Sequence, residues 1–378
     1  MQNEQLRYYN ENQISPERQN IEEIENHFIR RAKLYRQCGL PEIVFKGAEM
    51  LEVGPGGGYN ALAFFQWNCK HIDLVDANPW GINEMKSLFE KQGIAKNQYD
   101  IYHCEIENYS TPQKYDIVIA EGILTCIHNQ AEVISKLKTL LRPNGVVVVT
   151  CIDKVSFFIE TIKRLVGMVF VQNISSYEEK VKYLVDIFRP QLATLKGVSK
   201  LPEDWVKDTI LNPSNINGVE FSLRQAMQYF EDFEVLGTSP QIFTDYSWYK
   251  DIWYDYKKDY LEQFDRKRLS LLMANMQEVI LPADKVEFFV KCIGKIKDAE
   301  AGYEKTYEAN RISEILEVMN SMDEFICQYL PKEFIDVFHD MQEILICVHK
   351  KEEVNFKNYS NFFKAFGRTQ QYISFIKK

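Results

Sequence analysis

The run Glu52-Val53-Gly54-Pro55-Gly56-Gly57-Gly58-Tyr59-Asn60 gathers residue types that can meet a ligand through the backbone. Glycines at 54, 56 and 58 permit a sharp turn and a close approach, because no Cβ stands in the way. A helix opening near Asn60 turns its free N–H groups toward the same place. The spacing excludes two nucleotide-binding loops. A dinucleotide fingerprint needs G-x-G-x-x-G, and counted from Gly54 the third glycine position holds Tyr59. A phosphate-binding P-loop needs Gly-Lys-Ser/Thr after the turn, and none follows. What remains is Glu52-x-Gly54-x-Gly56-x-Gly58, with further acids downstream at Asp76, Glu105 and Glu121.

Three residues are candidate general bases. His128 is one, because a histidine's unperturbed pKa lies near neutrality, although beside Asn129 it reads equally well as a surface histidine. Asp153 and Asp245 are the other two. Around Asp245, the residues Tyr246, Trp248, Tyr249 and Lys250 suit a wall that stacks on a ring or sugar and hydrogen-bonds its hydroxyls. Trp253, Tyr254 and Tyr256 read instead as anchors of an amphipathic helix. The eight cysteines are scattered with no C-x-x-C pair, so no metal site is expected.

The elements that position these residues alternate. Strands are expected at 49–55, His71–Asp76, Tyr99–His103, Tyr115–Ala120 and Val146–Thr150, with helices at 59–67, Glu84–Gln92 and Ala131–Leu141 between them. A turn is expected at Pro143-Asn144-Gly145. This alternation argues for an α/β fold with a parallel sheet and helices on both faces. The nearly continuous apolar strands argue that both faces are buried. Residues 1–14 are polar and expected to be loosely ordered. Ser15-Pro16-Glu17 starts a helix with one apolar stripe (Ile21, Ile24, Phe28, Ala32, Tyr35), which Gly39 ends. That stripe is expected to pack on the core, with substrate contact as the alternative. After Cys151 the pattern turns helical through 215. A helix at Ser222–Phe230 and a strand at Phe233–Gly237 follow, then a long helical block from about Trp248 to Phe338. Ile344–His349 is expected as the last strand.

The glycine run and the acids resemble the motifs of the class I S-adenosylmethionine (SAM)-dependent methyltransferases, over residues 49–153 and more loosely over 219–244 and 341–350. The resemblance implies a Rossmann-like methyltransferase sheet with SAM as methyl donor and S-adenosylhomocysteine as product. It implies that Glu52 organises the loop and the methionine end of SAM, with the backbone of Gly54, Pro55, Gly56, Gly58 and Asn60 around it. Asp76 would accept the ribose hydroxyls, and Ala77 and Asn78 would lie along the adenine. Glu105, with Ile106, stands where the family usually has an aspartate for the adenine amine. Glu121 and Gly122 would face the transferred methyl group. The histidine pair that many small-molecule members carry after the fourth strand is replaced by Thr125-Cys126, with His128 two residues later. The implied activity is methyl transfer, by in-line attack of a hydroxyl, to a small-molecule or glycan acceptor. A non-catalytic SAM-binding interaction module and an aminopropyltransferase remain as alternatives.

The implied organisation is an N-terminal helical segment (1–47), a SAM-binding core (48–153), a helical lid insertion (154–218), a core continuation (219–244), a second helical insertion (245–340), and a last strand with a tail (341–378). At 378 residues the chain exceeds one methyltransferase core. Its net charge of −9 disfavours a non-specific nucleic-acid binder. No signal peptide and no apolar run of membrane-spanning length is evident, so a cytoplasmic location is expected. Homodimerisation stays open.

Overall fold

Seven strands form one sheet in the order β3-β2-β1-β4-β5-β7-β6. They are β1 Glu49–Val53, β2 His71–Asp76, β3 Tyr99–His103, β4 Tyr115–Ala120, β5 Leu141–Cys151, β6 Phe233–Ser239 and β7 Gln371–Lys377. β1 to β5 are parallel, and β7 runs antiparallel to both β5 and β6. The computed structural model describes residues 3–16, 18–195, 200–217, 220–253 and 259–378. In chain order the helices are α1 Glu4–Glu11, α2 Ile24–Gln37, α3 Ala61–Gln66, α4 Pro79–Lys91, α5 Gln130–Leu140, α6 Phe158–Val171, α7 Tyr177–Leu192, α8 Pro202–Trp205, α9 Ser214–Asn217, α10 Leu223–Tyr229, α11 Tyr260–Lys267, α12 Ala283–Thr306, α13 Asn310–Tyr329, α14 Lys332–Lys350 and α15 Ser360–Lys364.

The chain divides into two compact units. The sheet unit comprises Met1–Cys151, Val181–Gln241 and Gln371–Lys378. Its strands are buried on alternate and intervening positions alike: Met50, Leu51 and Val53 in β1, and Val147, Val148 and Val149 in β5. This is the signature of a sheet covered on both faces. An aromatic cluster fastens α2 to it. The Tyr35 ring lies 5.0 Å from Phe45, 5.6 Å from Phe64 and 5.8 Å from Trp67. Burying each such ring contributes about 1.5–3 kcal/mol, so α2 is part of the core.

The helical unit comprises Ile152–Lys180 and Ile242–Gln370. Its long helices α12, α13 and α14 bury one apolar stripe each, for example Ile315, Met319, Met322 and Ile326 on α13. Among the described residues, no helix is long and apolar enough to cross a membrane.

Several expectations are corrected. The described part of this stretch, residues 3–14, is not loose: it carries α1, capped by Asn3. Two buried tyrosines anchor α1, with the Tyr8 hydroxyl donating to Lys207 O (2.9 Å) and the Tyr9 hydroxyl to Asp208 (3.1 Å). The next helix begins at Ile24 and not at Ser15-Pro16, because tertiary contacts hold the intervening chain outside a helix. Arg18 pairs with Asp204 at 2.7 Å and Gln19 bridges to Lys200; Glu17 lies outside the described residues. α4 begins at Pro79, ahead of Glu84, capped by the Asn78 side chain. The turn expected at Pro143–Gly145 is a bulge inside β5, where the pairing jumps from Tyr115–Leu141 to Ile117–Val146. The expected last strand at Ile344–His349 is helix α14. Its buried residues Phe334, Val337, Phe338, Met341, Ile344, Leu345 and Val348 keep a helical period across the whole segment, which outweighs a short β-rich run. The last strand is β7, drawn from the tail.

Candidate functional site

The register of the parallel strands brings the ends of β3, β2, β1 and β4 to one edge: Asp76 pairs with His103, Val53 with Val75, and Val53 with Ala120. Open parallel sheets bind ligands at this carboxyl edge. The glycine loop, Asp76–Asn78, Glu105–Ile106 and Glu121–Gly122 all follow directly from these ends.

The loop leaves β1 at Gly54, whose φ of +70° belongs to the left-handed region and whose N–H donates to Val75 O at 2.8 Å. A Cβ here would run into the Ile123 side chain. At Gly58, φ is +76° and a Cβ would stand 2.6 Å from Met85 Cγ. Neither position accepts another residue without strain. Asp76 braces the loop, accepting from Gly56 N (2.8 Å) and Asn78 N (2.7 Å). Its burial raises its pKa, against the backbone N–H groups of Asn78, Gly56 and Ala77 and the nearby His103, which hold it down. Each of its oxygens keeps a further lone pair for a ligand hydroxyl.

Glu52 is 2% exposed, and among the described residues its Oε2 has no hydrogen-bond partner. Burial, reinforced by the Glu121 carboxylate, pushes its pKa up to about 8 despite Arg31. A buried acceptor without a partner at the root of a glycine loop fits a ligand that brings a donor or a positive charge.

Glu121 is differently placed from the expectation. The Arg31 guanidinium reaches both of its oxygens, with Nη1 3.0 Å from Oε2; the Tyr35 hydroxyl donates to Oε1 at 2.7 Å and Asn60 Nδ2 to Oε2 at 3.2 Å. Four donors fill the carboxylate, so it locks α2 to the strand edge. Sequence reading missed Arg31 and its neighbour His27, whose ring nitrogen lies 3.0 Å from Tyr59 O. Burial and the charge of Arg31 lower His27 to about 4. The signal was present: His27, Arg31 and Tyr35 recur at four-residue intervals along one face of α2. α2 therefore both packs on the core and contacts the site.

Glu105 is exposed and Ile106 buried, while Ala77 O lies 3.2 Å from the His103 ring. Asn78 donates to Ile14 O at 3.1 Å, which brings the segment before α2 against the β2 end. His128 is exposed, beyond a turn in which Thr125 and Cys126 point their side chains back to Gly122 O (3.4 and 3.2 Å).

The remaining expected residues lie in the helical unit. Asp153 is no free base. It is fully buried and held by Arg268 at 2.7 Å and by Val155 N at 2.8 Å. Asp245 accepts from Ser247 N and the Tyr260 hydroxyl, each at 2.8 Å. Tyr246, Trp248 and Tyr249 are exposed, with the Lys250 ammonium 5.0 Å from the Trp248 ring. Trp253 is exposed too, with the Lys250 ammonium 5.6 Å from its ring; Tyr254 and Tyr256 lie outside the described residues.

Residues 45–190 match the family model described as a methyltransferase domain. The mitochondrial ubiquinone biosynthesis O-methyltransferase of Schizosaccharomyces pombe is 23% identical over 110 residues, 29% of this chain and 40% of that protein. Its counterpart in Aeromonas salmonicida is 28% identical over 110 residues, 29% of this chain and 44% of that protein. A malonyl-[acyl-carrier protein] O-methyltransferase of Ilyobacter polytropus is 25% identical over 144 residues, 37% and 54% of the two chains. The chain thus spans about half the length of the curated relatives it matches, or less. The crystal structure of the N-methyltransferase NodS from Bradyrhizobium japonicum with S-adenosylhomocysteine aligns at a TM-score of 0.29 and 17% identity, over 33% of this chain and 61% of that one. The match over 45–190 makes this part of the chain similar to methyltransferase domains, and it spans the glycine loop and its buried acids.

Proposed function

We propose that the chain is an enzyme that moves the methyl group of SAM to an oxygen of a small hydroxyl-bearing acceptor, sugars included. The observation that carries this reading is the unpartnered buried oxygen of Glu52 beneath a glycine loop braced by Asp76. When bound, SAM supplies an electrophilic methyl on a sulfonium. Glu52 and the loop backbone from Gly54 to Gly58 would hold the methionine end, Asp76 the ribose hydroxyls, and Asn78, Glu105 and Ile106 the adenine side. Oxygen as the accepting atom follows the printed names of the curated relatives.

The chain's own share of the chemistry is placement. Glu121 is fully used by Arg31, Tyr35 and Asn60, which leaves no open position on it for an amine. That argues against aminopropyl transfer, which needs a free carboxylate after the fourth strand. Asp153 is tied to Arg268. An acceptor hydroxyl set in line with the methyl reacts through proximity, with proton loss to solvent or to His128. The eight cysteines form no disulfide with one another, which supports a reducing compartment such as the cytoplasm.

Isothermal titration with SAM and S-adenosylhomocysteine tests the reading. Asp76→Ala removes two charge-assisted hydrogen bonds to the ribose and is expected to weaken both ligands by about 100-fold or more. Unchanged affinity would overturn the cofactor site. Binding without turnover on any hydroxyl-acceptor pool would favour the interaction module.

A further inference from the structure

The helical hairpin of α13 and α14, joined at Leu330-Pro331, carries a polar edge along its apolar seam. Its rungs pair Ser313 with His349 (3.4 Å), Asn320 with Gln342 (3.2 Å) and Asp323 with His339 (3.0 Å). One rung differs in chemistry. Asp323 and Cys327 stand four residues apart on α13, hence on one face, and His339 faces them from α14. Asp323, Cys327 and His339 each offer one ligand atom, and these atoms lie within 4.8 Å of one another.

We propose that Asp323, Cys327 and His339 form a binding site for a divalent ion of the zinc class, clipped across the edge of the α13–α14 hairpin. A thiolate, an imidazole and one carboxylate suit a borderline ion such as zinc, whereas magnesium and calcium take oxygen ligands. Tetrahedral zinc with ordinary bond lengths sets ligand atoms roughly 3.3–3.6 Å apart. Closing the set from its present spacing therefore takes side-chain shifts of about an ångström. Both helices are seated through their apolar faces, with Met322 and Ile326 of α13 and Val337 and Phe338 of α14 buried. Asp323 and His339 are each 45% exposed at the side chain and Cys327 is exposed, so ions enter freely and a fourth position is left to water. Among the described residues a second cluster, His71, Asp73 and Asp100, is less suited. Its Asp73 already accepts from the hydroxyls of both Tyr109 and Tyr115.

The test titrates the full chain, kept reduced, with Co²⁺ and then Zn²⁺. A thiolate-to-cobalt charge-transfer band that saturates at one equivalent and is displaced by zinc is the expected result. Cys327→Ser should abolish the band, and His339→Gln and Asp323→Asn should each weaken cobalt at least tenfold, with far-ultraviolet circular dichroism unchanged. Absence of the band in the unmodified chain overturns the proposal. So does its survival in Cys327→Ser, which would move the ion to another cysteine, or undiminished affinity in His339→Gln.

Discussion

Glu52 in the sheet unit and Asp153 in the helical unit are both out of water, at 2% and 0% exposure; Asp153 is held in a direct ion pair, whereas Arg31 acts on Glu52 only through its field. Its neighbours in the helical unit follow suit. Glu160 accepts from Gly367 N at 3.0 Å and faces Lys163, while Arg164 is paired with Glu304. A buried charge matched inside the chain is structure, because its desolvation is offset locally. Glu52, at the root of the glycine loop, keeps an oxygen without a hydrogen bond among the described residues. Glu121 sits in the sheet unit but behaves like Asp153, which is why its place at a strand end misled.

Removing one partner of a matched pair should produce the largest effect. Arg268→Leu strands the Asp153 carboxylate and is expected to cost about 3–5 kcal/mol in urea denaturation, with Arg268→Leu/Asp153→Leu recovering most of it. A single-mutant cost below about 1 kcal/mol would erase the contrast, since that is the range of an exposed pair.

Glu52 should respond through pH. A carboxyl that titrates at about 8 when folded and at the ordinary 4.5 when unfolded binds its proton more tightly in the folded chain. Its contribution is then whole below the unfolded value and is lost as pH rises toward the folded one. Glu52→Gln should therefore gain stability over the unmodified, ligand-free chain between pH 5 and 9, by about 2–4 kcal/mol at the upper end. Parallel stability curves for the two proteins would show that Glu52 is matched after all.

His27 tests the opposite sign. Its pKa is lowered from 6.5 to about 4, so its contribution is present above the unfolded value and lost as pH falls through the folded one. Thermal melts should lose stability between those values, by about 1–3 kcal/mol, and His27→Gln should flatten that slope. The smallest effect belongs to exposed His128. His128→Ala should change stability by under about 0.5 kcal/mol and leave turnover within about twofold if solvent takes the proton. A large loss of turnover at unchanged SAM affinity would make His128 the base.

The sheet strands β1 to β4 were legible because each is a short apolar run bounded by turn residues, and their carboxyl-end acids were legible with them. β7 was not. Gln371–Lys377 lies at the end of the chain, past a helical region, and joins the sheet only by pairing with β5 and β6. The opposite error at Ile344–His349 came from reading six residues when the helical period was written over fifteen. Around the site, Glu52 and Asp76 could be singled out from local spacing. Arg31 could not be matched to Glu121 in the same way, because the two are 90 residues apart and meet only when α2 folds onto the sheet edge.

The amino-acid sequence alone determined the glycine loop, the parallel strands that carry it, and hence the kind of ligand the edge can take. These depend on backbone freedom and hydrophobic period, which are local properties. Tertiary structure alone decided which buried acids are matched and which are left open. Glu121 and Asp153 are closed by arginines distant in sequence, while Glu52 is left without a partner for one oxygen. Whether a buried charge is satisfied depends on what packs against it, and that is settled only when distant segments meet.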